Sequence, residues 1–285
     1  MIYYHADDYG INIEQSKRIL SCREDGCLNS VSILTTSECF EDTVHLLDSE
    51  CKKAVHINLS EGKALSSRKD IPLLVDVNGC FDKSFFRLLL SSFIFKKKIE
   101  KQVETECYAQ IKRLLEYMPE DYRLRLDSHR HYHMIPAVFR GVCSAAKETG
   151  REIEYIRLPM EKPLLYLSEP RLWLRISPLS IVKALVLNFC GIFNKCYLKR
   201  AGLYDKTMGY IGVIFTDRMF FENIDPLIKK INKGKIFRNT DVEIQFHPGR
   251  VKKGESLHET KFADWYDSDN RDREAEALKR FKGAK

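Results

Sequence analysis

The chain has 285 residues, with 47 lysines and arginines against 40 aspartates and glutamates, which gives a formal net charge of +7. Hydrophobic residues make up 44% and charged residues 31%, a balance typical of a globular protein that excludes a disordered or fibrous chain. The nine cysteines form no CxxC pair, which excludes zinc-ribbon and thioredoxin-type sites and predicts free thiols in a reducing cytosol.

Short β-like runs alternate with longer helical segments along the whole chain. The predicted strands are residues 2–5, 31–34, 54–59, 124–126, 155–158 and 242–246. The predicted helices run from Asn12, a candidate cap, to Gly26, and then over residues 40–47, 99–118, 138–147 and 273–281. This alternation predicts one α/β domain over residues 1–285, a parallel sheet covered by helices, either as a barrel or as an open doubly wound sheet. We expect the less regular segments near 64–98 and 160–210 to form the rim of the site.

One apolar stretch, residues 172–193, needs an explanation. It is interrupted by two basic residues, a proline and an asparagine, so its unbroken part is shorter than the ~20 residues that a spanning helix needs. We therefore expect a buried or lid helix and no spanning segment, with membrane-surface contact as the alternative. Its part near residues 180–193 could also form the face of a homodimer. The amino-terminal sequence lacks the pattern of a secretory signal, which predicts a cytoplasmic location.

Four polar clusters end or follow apolar, strand-like runs. They read Asp7-Asp8-Tyr9-Gly10, His56-Ile57-Asn58-Leu59-Ser60-Glu61-Gly62, Asp127-Ser128-His129-Arg130-His131-Tyr132-His133 and Glu243-Ile244-Gln245-Phe246-His247-Pro248-Gly249. The carboxyl ends of parallel strands lie at one edge of the sheet, and that edge holds the active site in such folds. We therefore expect the four clusters to converge on one site.

The third cluster by itself indicates a metal. If this segment is an extended strand, Asp127, His129, His131 and His133 share one face, with successive pairs roughly 6–7 Å apart. Burying three imidazoles beside a carboxylate costs several kcal/mol unless a partner satisfies them, and a divalent metal ion is the simplest such partner. A surface cluster of histidines on a loop is the alternative interpretation.

The other clusters are weaker signals when taken singly. Asp7 and Asp8 point to opposite sides of an extended chain, so one can bind a metal while the other holds a water or a substrate proton, as hydrolysis requires. The same residues are also favourable in a turn. His56 alone is more typical of a core histidine than of a ligand. His247, at a strand end, could protonate a leaving group.

Together and in this order, the four clusters resemble the YdjC-like (ChbG/HpnK) carbohydrate deacetylases. The resemblance begins at Ala6, extends to Arg273–Leu278 in the last predicted helix, and is weak in residues 64–98 and 160–210. It implies a distorted (β/α) barrel of the polysaccharide-deacetylase (NodB-like) type. It also implies a metal-dependent hydrolase that removes the N-acetyl group from an amino sugar or short N-acetylated oligosaccharide, giving acetate and a free amine.

The resemblance also implies a set of site residues. Asp8, His56 and His129 would bind one divalent metal ion, with Mg²⁺ favoured and Zn²⁺ or Mn²⁺ as alternatives. Asp7 would be the base that activates water, and His247 the acid for the leaving amine.

Five further residues complete this predicted site. Arg157 resembles the arginine that orients the base, although an ordinary ion pair at a strand end explains it equally well. His131 and His133 would contact the substrate or support the ligands rather than bind the metal. Glu243 would hold His247 or be a structural carboxylate. His5 stands where the family commonly has asparagine and would add a polar contact or change the preferred sugar.

Two other functions remain open from the residues. The same acidic and histidine residues could serve a metal-dependent phosphoesterase, although such sites often use two metals and need more carboxylates. A non-catalytic protein that binds sugar or nucleic acid is the second alternative, and the positive charge motivates its nucleic-acid version. Lys96–Lys98 and Lys229–Lys230 are ordinary solvated runs without a recognisable nucleic-acid motif, so we expect no nucleic-acid partner.

Overall fold

A computed structural model of the protein describes residues 1–166, 169–258 and 260–282. The strands are β1 (Ile2–Tyr9), β2 (Ser30–Ile33), β3 (Lys52–Ile57), β4 (Leu124–Ser128), β5 (Ile153–Ile156), β6 (Gly209–Ile211) and β7 (Val242–Phe246). The helices are α1 (Ile13–Glu24), α2 (Phe40–Val44), α3 (Phe85–Ile94), α4 (Lys96–Leu115), α5 (Pro136–Glu148), α6 (Pro170–Trp173), α7 (Pro178–Arg200), α8 (Phe221–Asn232), α9 (Ala263–Tyr266) and α10 (Asp269–Lys282). Single 3₁₀ turns lie at His129–Met134, Pro163–Tyr166 and Tyr204–Lys206.

The strands form one parallel sheet in the order β5-β4-β3-β2-β1-β7-β6, and this sheet is strongly curled. Strands lie about 4.8 Å apart, so in a flat sheet β5 would be about 19 Å from β1. Yet Arg157, directly after β5, donates from Nη1 and Nη2 to Asp7 of β1 over 2.9 and 2.8 Å. Its guanidinium also lies 5.9 Å from the ring centre of Tyr210 on the far edge strand β6. The fold is therefore the half-barrel form of the predicted α/β barrel.

Most predicted elements are present. Asn12 caps α1 as expected, because its side chain accepts a hydrogen bond from the Gln15 backbone N–H over 2.7 Å. None of the nine cysteines, all of which lie among the described residues, forms a disulfide. Among the elements that were missed, β6 is only three residues long, α3 is apolar on most sides, and α8 contains Pro226, a residue type that usually breaks a helix.

Helix α7 departs from its predicted environment. It has 23 residues and is long and apolar enough to cross a membrane by length and composition alone. One face packs on the body of the protein, where Asn188 and Asn194 donate to the backbone oxygens of Glu161 and Met134 over 2.9 and 2.8 Å. The prediction of a buried helix is wrong for the opposite face, which is solvent-exposed and apolar.

Candidate active site and metal centre

A bulge at the end of β1 turns both aspartates toward the same site. The pairing of β1 with β2 shifts register between Ala6 and Tyr9, and Asp8 has a left-handed backbone with φ 63°. The nearest oxygens of Asp7 and Asp8 consequently lie 4.0 and 3.4 Å from His56 Nε2. The prediction that they point to opposite sides of an extended chain is wrong, since the irregular backbone removes the alternation of a strand. A non-glycine residue in this region is strained, as is common at functional sites.

The histidines of the third cluster do not share a strand face, so that prediction is also wrong. Strand β4 ends at Ser128, and Arg130 and His131 adopt left-handed backbone angles within the following turn. Only His129 reaches the aspartates. His133 hydrogen-bonds the Ser128 hydroxyl and the Arg157 backbone oxygen, and His131 lies edge-on to Tyr210.

Asp8, His56 and His129 offer three ligand atoms within 4.8 Å of one another, and all three residues are buried. His56 Nδ1 lies 2.7 Å from Asp127 Oδ1, and an ionised carboxylate can only accept a hydrogen bond. Nδ1 therefore donates to Asp127, and Nε2 faces Asp8 and His129. This Nε2 atom is fully buried and has no hydrogen-bond partner among the described residues. A carboxylate behind one imidazole nitrogen, with the other nitrogen turned toward neighbouring ligand atoms, is the usual arrangement of a metal-bound histidine.

His129 also has a carboxylate behind one ring nitrogen, but its other nitrogen contacts Asp8 directly. Its Nδ1 lies 2.8 Å from Asp8 Oδ1, and its Nε2 lies 2.7 Å from Glu61 Oε1. Glu61 is itself held by the hydroxyls of Tyr266, over 2.6 Å, and Thr260. A second carboxylate thus orients the second imidazole.

The charge balance of the cluster favours a cation. The buried carboxylates are those of Asp7, Asp8, Glu61, Asp127 and Glu243, and the fully buried guanidiniums are those of Arg157 and Arg271. Five negative charges against two positive ones leave an excess that is costly in a buried site. Although burial alone lowers it, the pKa of His56 rises to about 10 because Asp127 and Asp7 are so close. A divalent ion at the His56 Nε2 position would supply the same compensation, so these residues fit a metal.

Arg157 is hydrogen-bonded to Asp7 through both terminal nitrogens. Beyond its two bonds to Asp7, its guanidinium lies 2.8 Å from Asp127 Oδ2 and donates from Nε to Glu243. Gln245 adds a donor to Asp7 Oδ2. Burial raises the pKa of Asp7, but Arg157 and the imidazoles of His56 and His5 outweigh it and hold the pKa well below its ordinary value. Asp7 is thus an ionised, fixed carboxylate beside the candidate metal position. Glu243 pairs with Arg157 and not with His247, so the predicted contact between Glu243 and His247 is wrong.

His247 lies at the opposite side of Asp7. Its Nε2 is 3.9 Å from Asp7 Oδ2 and 3.1 Å from Gln245 Nε2, and its ring packs edge-on against Trp265. The backbone N–H of His247 donates to Glu274 of α10, which fixes the strand end. Burial lowers the pKa of His247 to about 4, so the imidazole is neutral near pH 7.

A second buried group, His5, Asp7 and Asp127, could also offer ligands to a cation. Arg157 already contacts both of its aspartates over 2.8 Å. A divalent ion there would face a guanidinium, which disfavours it. His5 instead lies 2.8 Å from the Ser30 hydroxyl, with Ser32 at its other nitrogen.

The set of site residues predicted from the sequence omits several residues that build this site. Asp127, Glu61 and Gln245 lie inside the quoted motifs, so their position was a usable signal. Arg271 had no such signal: it comes from α10 and donates to Asp8 Oδ2 over 2.8 Å. Its guanidinium stacks on Trp265, 4.1 Å from the ring centre.

A cleft leads from the surface to His129. Its walls include Thr36, Asn58, Glu61, Lys63 and His258. A larger depression, lined by Arg23, Asp48 and Lys282, lies at the opposite, amino-terminal edge of the sheet and contacts none of the site residues.

Known proteins resemble this chain in sequence and in fold. The family profile described as YdjC-like protein matches residues 1–281. A carbohydrate deacetylase of Clostridium beijerinckii is 28% identical over 163 residues, which is 54% of this chain and 59% of that protein. A chitooligosaccharide deacetylase of Proteus mirabilis is 27% identical over 170 residues, 57% of this chain and 61% of that protein. The chain thus matches about three fifths of the length of these curated relatives.

The fold has a solved counterpart as well. A crystal structure from Enterococcus faecalis V583, described as a cellobiose-phosphate cleavage protein, superposes with a TM-score of 0.65 at 19% identity, covering 99% of this chain and 92% of that one. At this identity the likeness establishes the α/β half-barrel and nothing finer. Since the family profile covers nearly the whole sequence, the chain belongs to the YdjC-like protein family.

Proposed function

We propose that this protein is a metal-dependent carbohydrate deacetylase that hydrolyses the N-acetyl group of an amino sugar or short N-acetylated oligosaccharide. The observation that carries the proposal is the buried, unpartnered Nε2 of His56, aimed at Asp8 and His129 beside the fixed carboxylate of Asp7. The names of the relatives from Clostridium beijerinckii and Proteus mirabilis support the reaction class.

The residues divide the work of amide hydrolysis. A divalent ion held by Asp8, His56 and His129 would supply a Lewis acid for the acetyl carbonyl. Asp7, oriented by Arg157, takes a proton from the attacking water as the new C–O bond forms. The C–N bond then breaks, and the amine nitrogen must gain a proton before it leaves.

His247 delivers that proton. With its pKa lowered to about 4, the imidazole is neutral when substrate binds and must first receive a proton. Asp7 Oδ2, 3.9 Å away, is the source, since the Gln245 amide holds the two groups together. The proton that Asp7 removes from water therefore ends on the amine, and acetate and a free amino sugar result.

The geometry favours this reaction over a two-metal phosphoesterase. Arg157 pairs with both aspartates of the second buried group, His5, Asp7 and Asp127. Among the described residues this leaves the Asp8, His56 and His129 position for an ion, and a two-metal site needs a second one.

The test is acetate release from a panel of N-acetylated sugars that includes N,N′-diacetylchitobiose, with and without chelator. We expect release that the chelator abolishes and that a divalent ion restores. His129→Ala is expected to lose both bound metal and activity, whereas His45→Ala, on the exposed surface of the chain, keeps both. Metal analysis of the purified protein distinguishes Mg²⁺ from Zn²⁺ and Mn²⁺. Stoichiometric metal without acetate from any sugar, together with phosphate release from an aryl phosphate, would overturn the proposal.

A further inference from the structure

The outward face of α7 is an exposed apolar stripe. Leu179, Val182, Leu185, Phe189, Ile192 and Phe193 are each between 51% and 76% exposed. Leu179 to Ile192 follow one another at intervals of three or four residues, and Phe193 lies four residues after Phe189, so all six lie on one side of the helix. The other side is buried through Ala184, Leu187, Cys190 and Leu198. Apolar side chains thus cover both faces, although only one face is needed for the core.

Helix α3 and the corner that follows it repeat this arrangement. Phe86, Leu90, Phe93, Ile94 and Phe95 are each between 43% and 76% exposed. Both helices adjoin the His129–Met134 turn. Phe85 of α3 packs edge-on against Tyr132 at 5.7 Å, and Asn194 of α7 bonds the Met134 backbone. We call the outward residues of α3, its corner and α7 the apolar surface.

The two chain segments that form the apolar surface carry charges of one sign. Residues 83–99 contain five lysines and arginines, residues 170–204 contain five besides Lys183, which turns inward to the Thr216 hydroxyl, and neither segment contains an aspartate or glutamate. The whole chain carries +7, so the remaining residues together carry −4. The positive charge of this protein is therefore concentrated in the two segments that expose apolar side chains. Lys96, Lys97 and Lys98 directly follow the exposed Phe93–Phe95 corner.

Exposed apolar side chains together with basic residues favour one kind of binding partner for the apolar surface. Large apolar side chains that are exposed together on helix faces mark an interaction site. Two copies meeting through it would bring two strongly basic segments together, which opposes a homodimer. A spanning arrangement would strip Asn188 and Asn194 of their bonds to the protein body. Helices that are apolar on one side and rimmed by lysine and arginine lie in the interface of membranes that contain anionic lipids.

We propose that the apolar surface docks this protein on the face of a bilayer containing anionic lipids, with the exposed side chains of α3 and α7 among the headgroups. The apolar residues enter the acyl boundary while the lysines and arginines contact lipid phosphates. This docking needs no catalytic step and is independent of the proposed deacetylation.

Vesicle flotation of the full-length protein tests the proposal. We expect it to float with vesicles of phosphatidylcholine and phosphatidylglycerol in equal amounts, to bind pure phosphatidylcholine at least about tenfold less, and to lose binding as salt increases. The double variant Phe189→Gln/Ile192→Gln and the triple variant Lys96→Gln/Lys97→Gln/Lys98→Gln should each weaken binding about tenfold or more. Val77→Gln, another highly exposed apolar residue, is the matched control and should bind as wild type.

Circular dichroism and the acetate assay confirm that these surface variants remain folded. Wild-type protein that stays with the soluble fraction in the presence of anionic vesicles would overturn the proposal. So would flotation that the α7 double variant leaves unchanged. A dimer in light scattering that this variant converts to monomer, with no vesicle binding by either protein, would assign the surface to a second copy instead.

Discussion

The candidate site and the apolar surface depart from the ordinary distribution of side chains in opposite directions. In the site, carboxylates, imidazoles and guanidiniums are fully buried, whereas on α3 and α7 phenylalanines, leucines and isoleucines face solvent. Charged side chains are rarely buried without partners, and large apolar patches are rarely left exposed. Each departure has an energetic cost that a bound species can relieve: a cation in the site, and a lipid surface on the helices.

The difference lies in how strongly each region is constrained. Every site carboxylate has at least one charged or hydrogen-bonding partner from another strand or helix, so a change there leaves a buried charge unbalanced. The apolar surface has no such network, and its residues can change with little effect on folding. Substitutions in the site should therefore change activity and can also change stability, whereas substitutions on the apolar surface should change binding and leave stability nearly unchanged.

The largest expected effect comes from removing a candidate metal ligand. Asp8→Asn should lose bound metal and reduce the deacetylation rate by about 10³-fold or more, because a neutral amide replaces a carboxylate ligand. Metal content and kcat/KM are the measurements. Asp70→Asn, an exposed aspartate, is the control and should match wild type. An Asp8→Asn protein that holds one equivalent of metal at an unchanged rate would exclude Asp8 as a ligand.

Replacing the proposed base separates catalysis from metal binding. Asp7→Asn should keep the metal but reduce kcat by about 10²–10⁴-fold, since the amide cannot accept a proton from water. Rates and metal content measured on the same sample test this expectation. Full activity with metal bound would show that another group is the base.

A pair of leucines on α7 compares the two faces of one helix. Leu187 is 3% exposed and Leu185 is 56% exposed. Leu187→Ala should lower the free energy of unfolding by about 2–5 kcal/mol because it leaves a cavity. Leu185→Ala should change it by no more than about 0.5 kcal/mol. Denaturant unfolding measures both, and equal losses would show that the outward face is also packed in solution.

The smallest effect concerns pH. Burial and the nearby Arg130 lower the pKa of Lys183 to about 8, below its unfolded value of 10.5. The unfolded state then binds more protons between these values, so stability should rise with pH from about 8 to about 10.5. Lys183→Met should remove this rise and stabilise the protein at pH 7 by about 1–2 kcal/mol. Lys233→Met, at an exposed position, is the control. An unchanged pH profile in Lys183→Met would assign the rise to other groups.

Much of the fold could be predicted because hydrophobic patterning identifies buried strands locally. Each predicted strand is present, and the polar ends of β1, β3, β4 and β7 converge as the parallel alternation requires. The three-residue strand β6 carried too little pattern to be found. Asp8, His56 and His129 meet within one site, whereas their role as ligands stays a prediction.

The features that sequence reasoning missed are irregular backbone conformations and contacts between residues that are distant in the sequence. The bulge that turns Asp7 and Asp8 to one side, and the left-handed turn that separates His131 and His133 from His129, break the strand periodicity on which the prediction depended. Arg271 reaches Asp8 across 263 residues of sequence, a contact that no local pattern encodes.

By itself the sequence determined the α/β class, the family and the four strand ends that carry polar residues, because periodicity and motifs are local properties of the chain. The tertiary structure alone decided which carboxylate stands behind each histidine, where Arg157 sits, and which face of α7 is left exposed. These depend on the curl of the sheet and on the packing of distant helices, so they exist only once the whole chain has folded.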